Sequence, residues 1–498
     1  MKEEYANIIK DGYITVPIYE KSFGTEISTD ITLPDYQNEI RRILHVEQTV
    51  LPPSKYVSPD GVEFNGTIDY RMLYIGDGGE LCGASMSGEY SFSIPIEKSS
   101  YLSLDNGVSV LCGICAESVS TRVSAPRRLS VKSRIRPNVR IYGQMKIDGA
   151  QLLGDLSGGV YKQTESALCS VCEEASSDVI SIEQSLSAID EDARIVAADA
   201  KVHVTSCEVG TSGVTCRGKL ITKLLISSAD GEISTKESSA PFECDVDMEN
   251  IQGARVRAHG NAVELTVSVT DTGVLSQAGV IVTATSYVDK TTAYVSDMYS
   301  DTYECKCEMA EQSIRRVAAC VNSNISIGER FELTAKNIPE NARVIDAFGN
   351  AVIDRCTRSD DGKYVFLGNA HVCVLWNDGG EMGSSEVDMP VRYEMQGASE
   401  DPTCFDATSK LVDIRARIDG NELCVDAELI ISADCMCENT LSYVRGAGIG
   451  ERIDHSSNEL VVCYPDPSDT LWSIAKRYAV SPVKIIGDVD NDKYVLIE

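Results

Sequence analysis

One sequence pattern occurs three times along this chain at nearly constant spacing. Each copy has a glycine inside an apolar, strand-like stretch, with a leucine seven residues later. The glycines are Gly66, Gly218 and Gly368, which are 152 and 150 residues apart. Upstream of each glycine is an Arg-apolar-apolar triplet, at Arg42, Arg194 and Arg343. Because a period of about 150 residues is the size of a domain, the pattern predicts three homologous domains in series.

Each copy is predicted to be rich in β-strands. Alternating apolar and polar residues, as in Thr67–Met72, are typical of half-buried strands. Short turns rich in Asp, Asn and Gly predict hairpins, because these residues tolerate positive φ; they are Gly76–Gly79, Ala229–Gly231 and Asn377–Gly380. A glycine within a strand indicates a bulge or a close backbone approach. In the first copy, Pro34–Ile40 predicts a short helix.

The final segment, residues 460–498, has a different pattern. Its apolar residues recur at the spacing of one helical face: Leu471, Ile474, Ala475 and Tyr478. Asp469 or Thr470 can cap the first amides of this helix, and Ser481 before Pro482 predicts a second helix start. Strands are predicted near both ends, at 460–462 and 494–497. The predicted order is strand, helix, helix, strand.

The run from Ser468 to Tyr478, with Val480-Ser481-Pro482 after it, resembles a LysM module. That resemblance implies binding of N-acetylglucosamine-containing glycans such as peptidoglycan and chitin. Ser468 stands where the family usually has glycine, and the loop Gly487–Asp492 is short and carries three carboxylates. Those two loops form the sugar groove of the family. A second interpretation is therefore a small folding unit that binds a protein.

The repeated units resemble the SPOCS domain of sporulation and spore-coat proteins from endospore-forming bacteria. The first copy carries the resemblance in four short segments: Ile31–Asp35, Ile40–Leu44, Asn65–Thr67 and Met72–Tyr74. The second and third copies keep the later segments and lack the Leu-Pro-Asp element. Repeated SPOCS units that end in a LysM module are the arrangement of the SipL-type spore morphogenetic proteins.

The expected fold class is therefore mainly β, with three tandem sandwich-like SPOCS-type repeats and a small α/β (βααβ) LysM module. The predicted repeats are 1–150, 160–290 and 298–445, with seams at 149–159 and 288–298. A glycine-rich linker at 446–459 precedes the module at 460–498, and we expect it to let the module move.

The chain is strongly acidic, with 76 acidic against 45 basic side chains and a net charge of −31. Such a surface repels nucleic acid and anionic lipid, and it favours a basic protein partner or simple solubility. The first residues lack the apolar core of a secretory signal, and no run is long enough for a membrane span. We therefore expect no membrane insertion and a location inside the cell, with the 18 cysteines reduced.

The motifs predict no enzyme, no cofactor and no metal site. The CxxC pairs at Cys112/Cys115 and Cys169/Cys172 are too far apart in sequence for paired zinc knuckles. None of the five histidines lies in a recognisable nucleophile motif, and no P-loop or HExxH is present. An enzyme with an unfamiliar site is the third class, which a cleft with converging ionisable groups would favour.

The candidate binding residues, for a protein partner or a glycan, lie on the predicted first helix of the LysM-like segment: Asp469, Thr470, Leu471, Trp472, Ile474, Lys476, Arg477 and Tyr478. Lys476 and Arg477 form a basic pair suited to the carboxylates of a partner, and Trp472 serves either contact or core packing. The SipL resemblance implies a non-enzymatic adaptor in the mother-cell cytoplasm, which couples the coat's basement-layer ATPase to the forespore surface. The alternative is a peptidoglycan-binding protein.

Overall fold

A computed structural model of the chain describes residues 13–58, 60–96, 102–103, 108–147, 159–187, 189–190, 192–249, 251–270, 273–396, 402, 404–454 and 460–498. Strands dominate these residues, and the prediction of a mainly β protein is confirmed. The strands form seven sheets, of which two belong to each third of the chain and one to the C-terminal segment.

The strands follow one another along the chain in four groups. The first unit contains β1 Tyr13–Ser22, β2 Thr25–Thr32, β3 Ile40–Val50, β4 Ser54–Ser58, β5 Gly61–Gly76, β6 Leu81–Pro95, β7 Leu102–Ser103, β8 Ser109–Ala125 and β9 Arg128–Lys146. The second contains β10 Val160–Ser176, β11 Ile180–Leu186, β12 Arg194–Val209, β13 Gly213–Ser227, β14 Ile233–Asp247, β15 Arg255–Thr270 and β16 Gly273–Ser300. The third contains β17 Tyr303–Glu332, a 3-10 turn Thr334–Lys336, β18 Arg343–Arg358, β19 Tyr364–Asn377, β20 Met382–Met395, β21 Cys404–Asp419 and β22 Glu422–Arg452. The C-terminal module contains β23 Val461–Cys463, α1 Leu471–Arg477, a 3-10 turn Pro482–Lys484, β24 Ile485–Ile486 and β25 Val495–Ile497.

One antiparallel strand order occurs in all three units. In each unit the strands in the middle of its sequence form one sheet, which we call the middle-strand sheet. Its order is β3-β5-β6 in the first unit, β12-β13-β14 in the second and β18-β19-β20 in the third. The strands at the two ends of each unit form a second sheet, which we call the end-strand sheet. Its central strand is the last strand of the unit, with the opening strands on one side and the penultimate strand on the other. In the third unit a single strand, β17, takes the place that two strands fill in the others.

Each unit buries a large hydrophobic cluster between its two sheets. In the third unit, Phe366 and Val372 of the middle-strand sheet share a cluster with Leu423 and Leu429 of the end-strand sheet. The first and second units have equivalent clusters. Burial alternates along strands such as β14, where every second residue near its end faces the core. This alternation is what a sheet covered on one face requires.

The predicted hairpin turns and strand glycines occur as expected. Gly79, Gly231 and Gly379 have φ of 87°, 84° and 93°, and each lies in the tight turn that joins two strands of a middle-strand sheet. The ring of Tyr90 covers Gly66 from the opposite strand, and a Cβ at position 66 would lie 2.4 Å from that ring. The glycine is therefore needed for close approach.

The three units close on one another around a shared cluster. Leu73, Leu225 and Leu375, which are the equivalent leucines of the repeats, pack together where the middle-strand sheets meet. The end-strand sheets meet at a second cluster that includes Tyr142, Tyr287 and Met436. Sequence spacing predicts the repeats but not this mutual packing.

The repeated arginines link each unit to a neighbour. Arg42 of the first unit pairs with Glu381 of the third at 3.0 Å. Arg194 of the second unit donates to the backbone oxygen of Leu81 in the first at 2.6 Å. Arg343 of the third unit pairs with Glu232 of the second at 3.0 Å. The contacts therefore run around a closed ring of three units.

The predicted helix at Pro34–Ile40 is wrong. This stretch forms a turn, in which the backbone N–H of Gln37 donates to the oxygen of Pro34, and Ile40 already begins β3. Leu33 and Ile40 are both buried in the core of the first unit. Ile40 pairs with Gly76 as a strand residue, and the backbone N–H groups of Leu33 and Ile40 donate to the oxygens of Arg127 and Pro126, so both ends of the stretch are held in non-helical contacts.

Two predicted boundaries are also wrong. The seam at 288–298 lies inside β16, which stays paired with β10 as far as Ser300. The first part of the predicted linker, residues 446–452, is the end of β22 and pairs with β17 as far as Tyr303. Glycine has a low strand propensity, but Gly446 and Gly448 are held in β22 by their pairing with β17. Residues 455–459 and 149–158 lie outside the described part of the chain.

The C-terminal module is built around a three-stranded sheet with the order β23-β25-β24 and the helix α1. The predicted second helix is a single 3-10 turn with Pro482 at its start, because Ile485 and Ile486 pair with β25. The one α-helix within the described ranges has seven residues, and the structure there holds no helix that is long and apolar enough to cross a membrane.

Candidate functional site

The helix that carries the candidate residues is capped as the sequence predicts. Thr470 accepts a hydrogen bond from the backbone N–H of Ser473, and the Ser473 hydroxyl accepts one from the N–H of Thr470. Asp469 receives both the guanidinium of Arg477 and the backbone N–H of Asp466. The hydrogen bond from Arg477 lowers the pKa of Asp469. These polar residues therefore hold the helix start together.

The apolar stripe of the helix packs inward at its centre. Ile474 and Ala475 are fully buried, while Trp472 and Tyr478 are partly buried against the same cluster. Leu471 is 44% exposed and lies at the edge of the stripe. Ile474 is therefore a core residue of the module.

The module docks on the second unit through Trp472 and Lys476. The indole Nε1 of Trp472 donates to Oδ2 of Asp297 at 2.9 Å, and Nζ of Lys476 donates to Oδ1 of the same carboxylate at 2.5 Å. Burial alone would raise the pKa of Asp297, but these two hydrogen bonds outweigh burial and hold that pKa below its ordinary value. One carboxylate on β16 thus binds both side chains.

Tyr299 forms the apolar half of the same contact. Its ring meets that of Trp472 edge to face, with centroids 5.0 Å apart, and its hydroxyl donates to the backbone oxygen of Val480 at 2.9 Å. Tyr161 stacks on the ring of Tyr299 at 5.1 Å. Trp472 and Lys476 are therefore engaged within the chain, and Arg477 is paired with Asp469.

Within the described part of the chain, an apolar face of the module's sheet is exposed. Val462 and Ile486 both lie opposite Leu496 in the sheet, so the three side chains share one face. Tyr464 and Tyr494 continue that face, and their ring centroids are 6.2 Å apart. We call these five residues the outer face of the module. The exposed fraction is 46% for Val462, 49% for Ile486 and 65% for Tyr464.

Sequence reasoning missed the outer face. The alternate residues of the same strands, Cys463, Val495 and Ile497, point into the core and are buried. Apolar residues at successive positions, as in Tyr494–Ile497, indicate a strand that is apolar on both faces. This run of apolar residues therefore indicates, from the sequence alone, that the outer face is apolar.

A cavity of about 160 Å³ lies where the three middle-strand sheets meet, and ionisable groups converge on it. Arg71 of the first unit pairs with Asp199 of the second, and Lys223 of the second unit pairs with Asp346 of the third. His45 stacks on Phe348 at 5.3 Å, and burial lowers the pKa of this histidine. The charges neutralise one another across the unit boundaries, so their geometry serves to join the units.

The end-strand sheets meet around a second buried ion cluster. Arg140 of the first unit lies 2.6 Å from Asp406 and 3.2 Å from Asp434, both in the third unit. Arg257 of the second unit lies 3.2 Å from Asp434, which also accepts a hydrogen bond from the Tyr287 hydroxyl at 2.6 Å. Burial without these partners would be costly for each charge. The cluster therefore ties together all three units.

The cysteines supply no metal centre within the described residues, where no group of three or more His, Cys, Asp or Glu side chains is placed to hold a metal ion. In the CxxC pair of β8, Cys112 is buried and Cys115 is partly buried. Burial raises the pKa of Cys112 to about 12, so this thiol stays protonated near neutral pH.

The fold and the site define a class: a mainly β protein of three mutually packed units with one appended module. Residues 193–285 match the family described as "SipL, SPOCS domain". The matched range covers β12 to β15 and the first part of β16. This part of the second unit is therefore similar to a SPOCS domain. No curated protein and no solved structure matches the chain.

Proposed function

We propose that this protein is a non-enzymatic morphogenetic adaptor of the spore envelope. In this proposal the three units are SPOCS-type repeats, the C-terminal segment is a LysM-like module, and the module holds a coat protein at the forespore surface in the mother-cell cytoplasm. The SPOCS match in the second unit supports a role in sporulation. The common strand order supports extending the assignment to the first and third units.

The observation that carries the proposal is the outer face of the module. Five apolar or aromatic side chains lie together on a three-stranded sheet, and the described residues of the chain leave Val462, Ile486 and both tyrosines exposed. Contiguous exposed apolar surface on a soluble domain marks a contact surface. Aromatic and aliphatic anchors of this kind are typical of protein interfaces. We infer that the partner is the basement-layer ATPase of the coat.

The paired charges of the central cavity support a role without catalysis. Arg71, Asp199, Lys223 and Asp346 are each held by an opposite charge from another unit. A catalytic acid or base needs a protonation state that can change during a reaction. Their ion pairs cross the boundaries between units, which supports a structural role for these groups.

The test replaces the outer face in the full chain. Val462→Asp with Ile486→Asp places two charges on the face, and Val269→Asp puts the same change on an exposed valine of the second unit. Tagged proteins are incubated with the purified basement-layer ATPase and, separately, with purified peptidoglycan. We expect the outer-face variant to lose ATPase capture, while the unaltered protein and the Val269→Asp control retain it.

Two results would contradict the adaptor role. One is retention of the unaltered protein by peptidoglycan with no capture of the ATPase, which would favour the glycan-binding alternative. The other is undiminished ATPase capture by the outer-face variant, which would place the contact elsewhere on the protein.

A further inference from the structure

Two cysteines face each other across the hairpin of β12 and β13. Cys207 and Cys216 are directly opposite in the register, and their sulfur atoms are 3.0 Å apart. The hairpin closes at Gly210, whose N–H donates to the oxygen of Gly213. Hydrogen-bonded and non-hydrogen-bonded pairs alternate along an antiparallel hairpin. The Cys207–Cys216 pair is the third after Gly210–Gly213, so it is a non-hydrogen-bonded pair. In that type the side chains lie closest, as a cross-strand disulfide requires.

The two sulfurs have different surroundings. Cys207 is partly exposed, whereas Cys216 is fully buried in the core of the second unit. Their hydrogen bond lowers the pKa of the Cys207 thiol and raises the pKa of the Cys216 thiol. Because the thiolate is the attacking form, the accessible cysteine is also the more reactive one. Cys207 is therefore suited to attack an external disulfide, and Cys216 is suited to displace the group that Cys207 has bound.

The other two units lack this pair at the same place in the fold. The first unit has Lys55 opposite Phe64, and the third has Cys356 opposite Phe366. A phenylalanine thus occupies the place of Cys216 in both units. The facing thiols are particular to the second unit and are not a requirement of the repeated fold.

We propose that Cys207 and Cys216 are a thiol–disulfide switch site, which a small-molecule disulfide oxidises. The Cys207 thiolate attacks one sulfur of the small disulfide and expels one thiolate, so that a mixed disulfide forms on Cys207. The sulfur of Cys216 then attacks Sγ of Cys207, and its proton leaves with the second expelled thiolate. The protein loses two thiol protons and two electrons, and the small disulfide is reduced to two thiols.

Little movement is needed for the second step. The sulfur atoms must approach from 3.0 Å to about 2.05 Å. The bond would lock β12 to β13 next to their turn. We expect the locked hairpin to open less often, which native-state hydrogen exchange at the amides of β12 and β13 measures as slower exchange.

The test uses the full-length folded protein and oxidised glutathione. After incubation, remaining thiols are alkylated with N-ethylmaleimide, and tryptic peptides are analysed by mass spectrometry. Both cysteines lie on the peptide between Lys201 and Arg217. We expect this peptide to lose alkylation at both cysteines and to regain it after reduction. Cys305 and Cys307, whose sulfurs are 4.0 Å apart along one strand, are the internal control that stays alkylated.

Two variants assign the roles of the thiols. Cys216→Ser should trap glutathione on Cys207, because the resolving sulfur is gone, and Cys207→Ser should leave Cys216 reduced. Circular dichroism checks that both variants are folded. Full alkylation of the 202–217 peptide after oxidation of the unaltered protein would overturn the proposal, as would the absence of a mixed disulfide in the folded Cys216→Ser variant. Neither readout involves the outer face or a partner.

Discussion

The second unit and the two that flank it fill the same place in their middle-strand sheets with different side chains. In the first unit Phe64 lies opposite Phe92, and their rings stack with centroids 4.8 Å apart. In the third unit Phe366 and Tyr393 stack at 6.1 Å. In the second unit Cys216 lies opposite Cys244.

One strand order thus accommodates different side chains at the same core position. The strand order and the strand glycine are common to all three units, because backbone pairing requires them. The side chains at the equivalent core position are free to vary as long as the space is filled. Aromatic rings give the flanking units a large buried apolar surface, whereas the cysteines give the second unit the proposed thiol–disulfide exchange. The second unit also carries the docked module, through Asp297 and Tyr299.

The largest expected effect is the loss of an aromatic ring from a flanking unit. Phe64 is fully buried, so Phe64→Ala leaves a cavity and should destabilise the first unit by about 3–5 kcal/mol. Native-state hydrogen exchange of the strands in that unit measures the change. Loss of less than about 1 kcal/mol would show that the ring does not support the core as the stacking indicates.

The equivalent change in the second unit should be smaller. Cys216→Ala removes one sulfur atom from a buried site, and we expect about 1–2 kcal/mol because a cysteine packs as a small hydrophobe. The same exchange experiment on β12–β14 gives the value. Equal effects for Phe64→Ala and Cys216→Ala would break the comparison between the units.

The docking of the module on the second unit should respond to Asp297. Asp297→Ala removes the acceptor of both Trp472 and Lys476, and we expect the docked state to weaken by about 1–3 kcal/mol. Limited proteolysis of the module, residues 460–498, measures the release, with Asp388→Ala as the control at an exposed carboxylate of the third unit. Equal cleavage rates of the two variants would contradict the assignment.

The same contact predicts a pH dependence. The folded-state pKa of Asp297 lies below its ordinary value of 3.8, so its stabilising contribution is present above pH 3.8. The contribution is lost as the pH falls through the folded-state pKa. Fluorescence of Trp472 in a Trp376→Phe background reports the release. The Asp297→Asn variant should lack this transition, and an unchanged transition would assign it to another group.

The smallest effect is expected from the repeated arginines that link neighbouring units. The pair Arg343–Glu232 is exposed on both sides, at 72% and 64%, so Arg343→Ala should cost below about 1 kcal/mol. Arg194 donates to a backbone oxygen instead, and Arg194→Ala should cost somewhat more because it leaves that acceptor without its partner. Chemical denaturation of the two variants compares them, and a reversed order would contradict the geometric ranking.

Much of the fold could be predicted from local chemistry. The hairpin turns at Gly79, Gly231 and Gly379 follow from residues that tolerate positive φ, and the cap at Thr470 follows from its hydroxyl. The helix at Pro34–Ile40 was predicted wrongly, because strand pairing of Ile40 overrides the local preference. A role of Trp472 and Lys476 in binding a partner or a glycan stays a prediction; their contact with Asp297 could not be foreseen, because Asp297 lies 175 and 179 residues away in the sequence.

The β-rich character, the strand glycine that recurs three times and the helix of the C-terminal module follow from the sequence, since alternation, turn residues and capping act over a few neighbouring positions. Only the tertiary structure shows that the units close on one another in a ring and that the module rests on the second unit. Contacts of this kind depend on strand register and on the packing of whole sheets, which distant parts of the chain settle together.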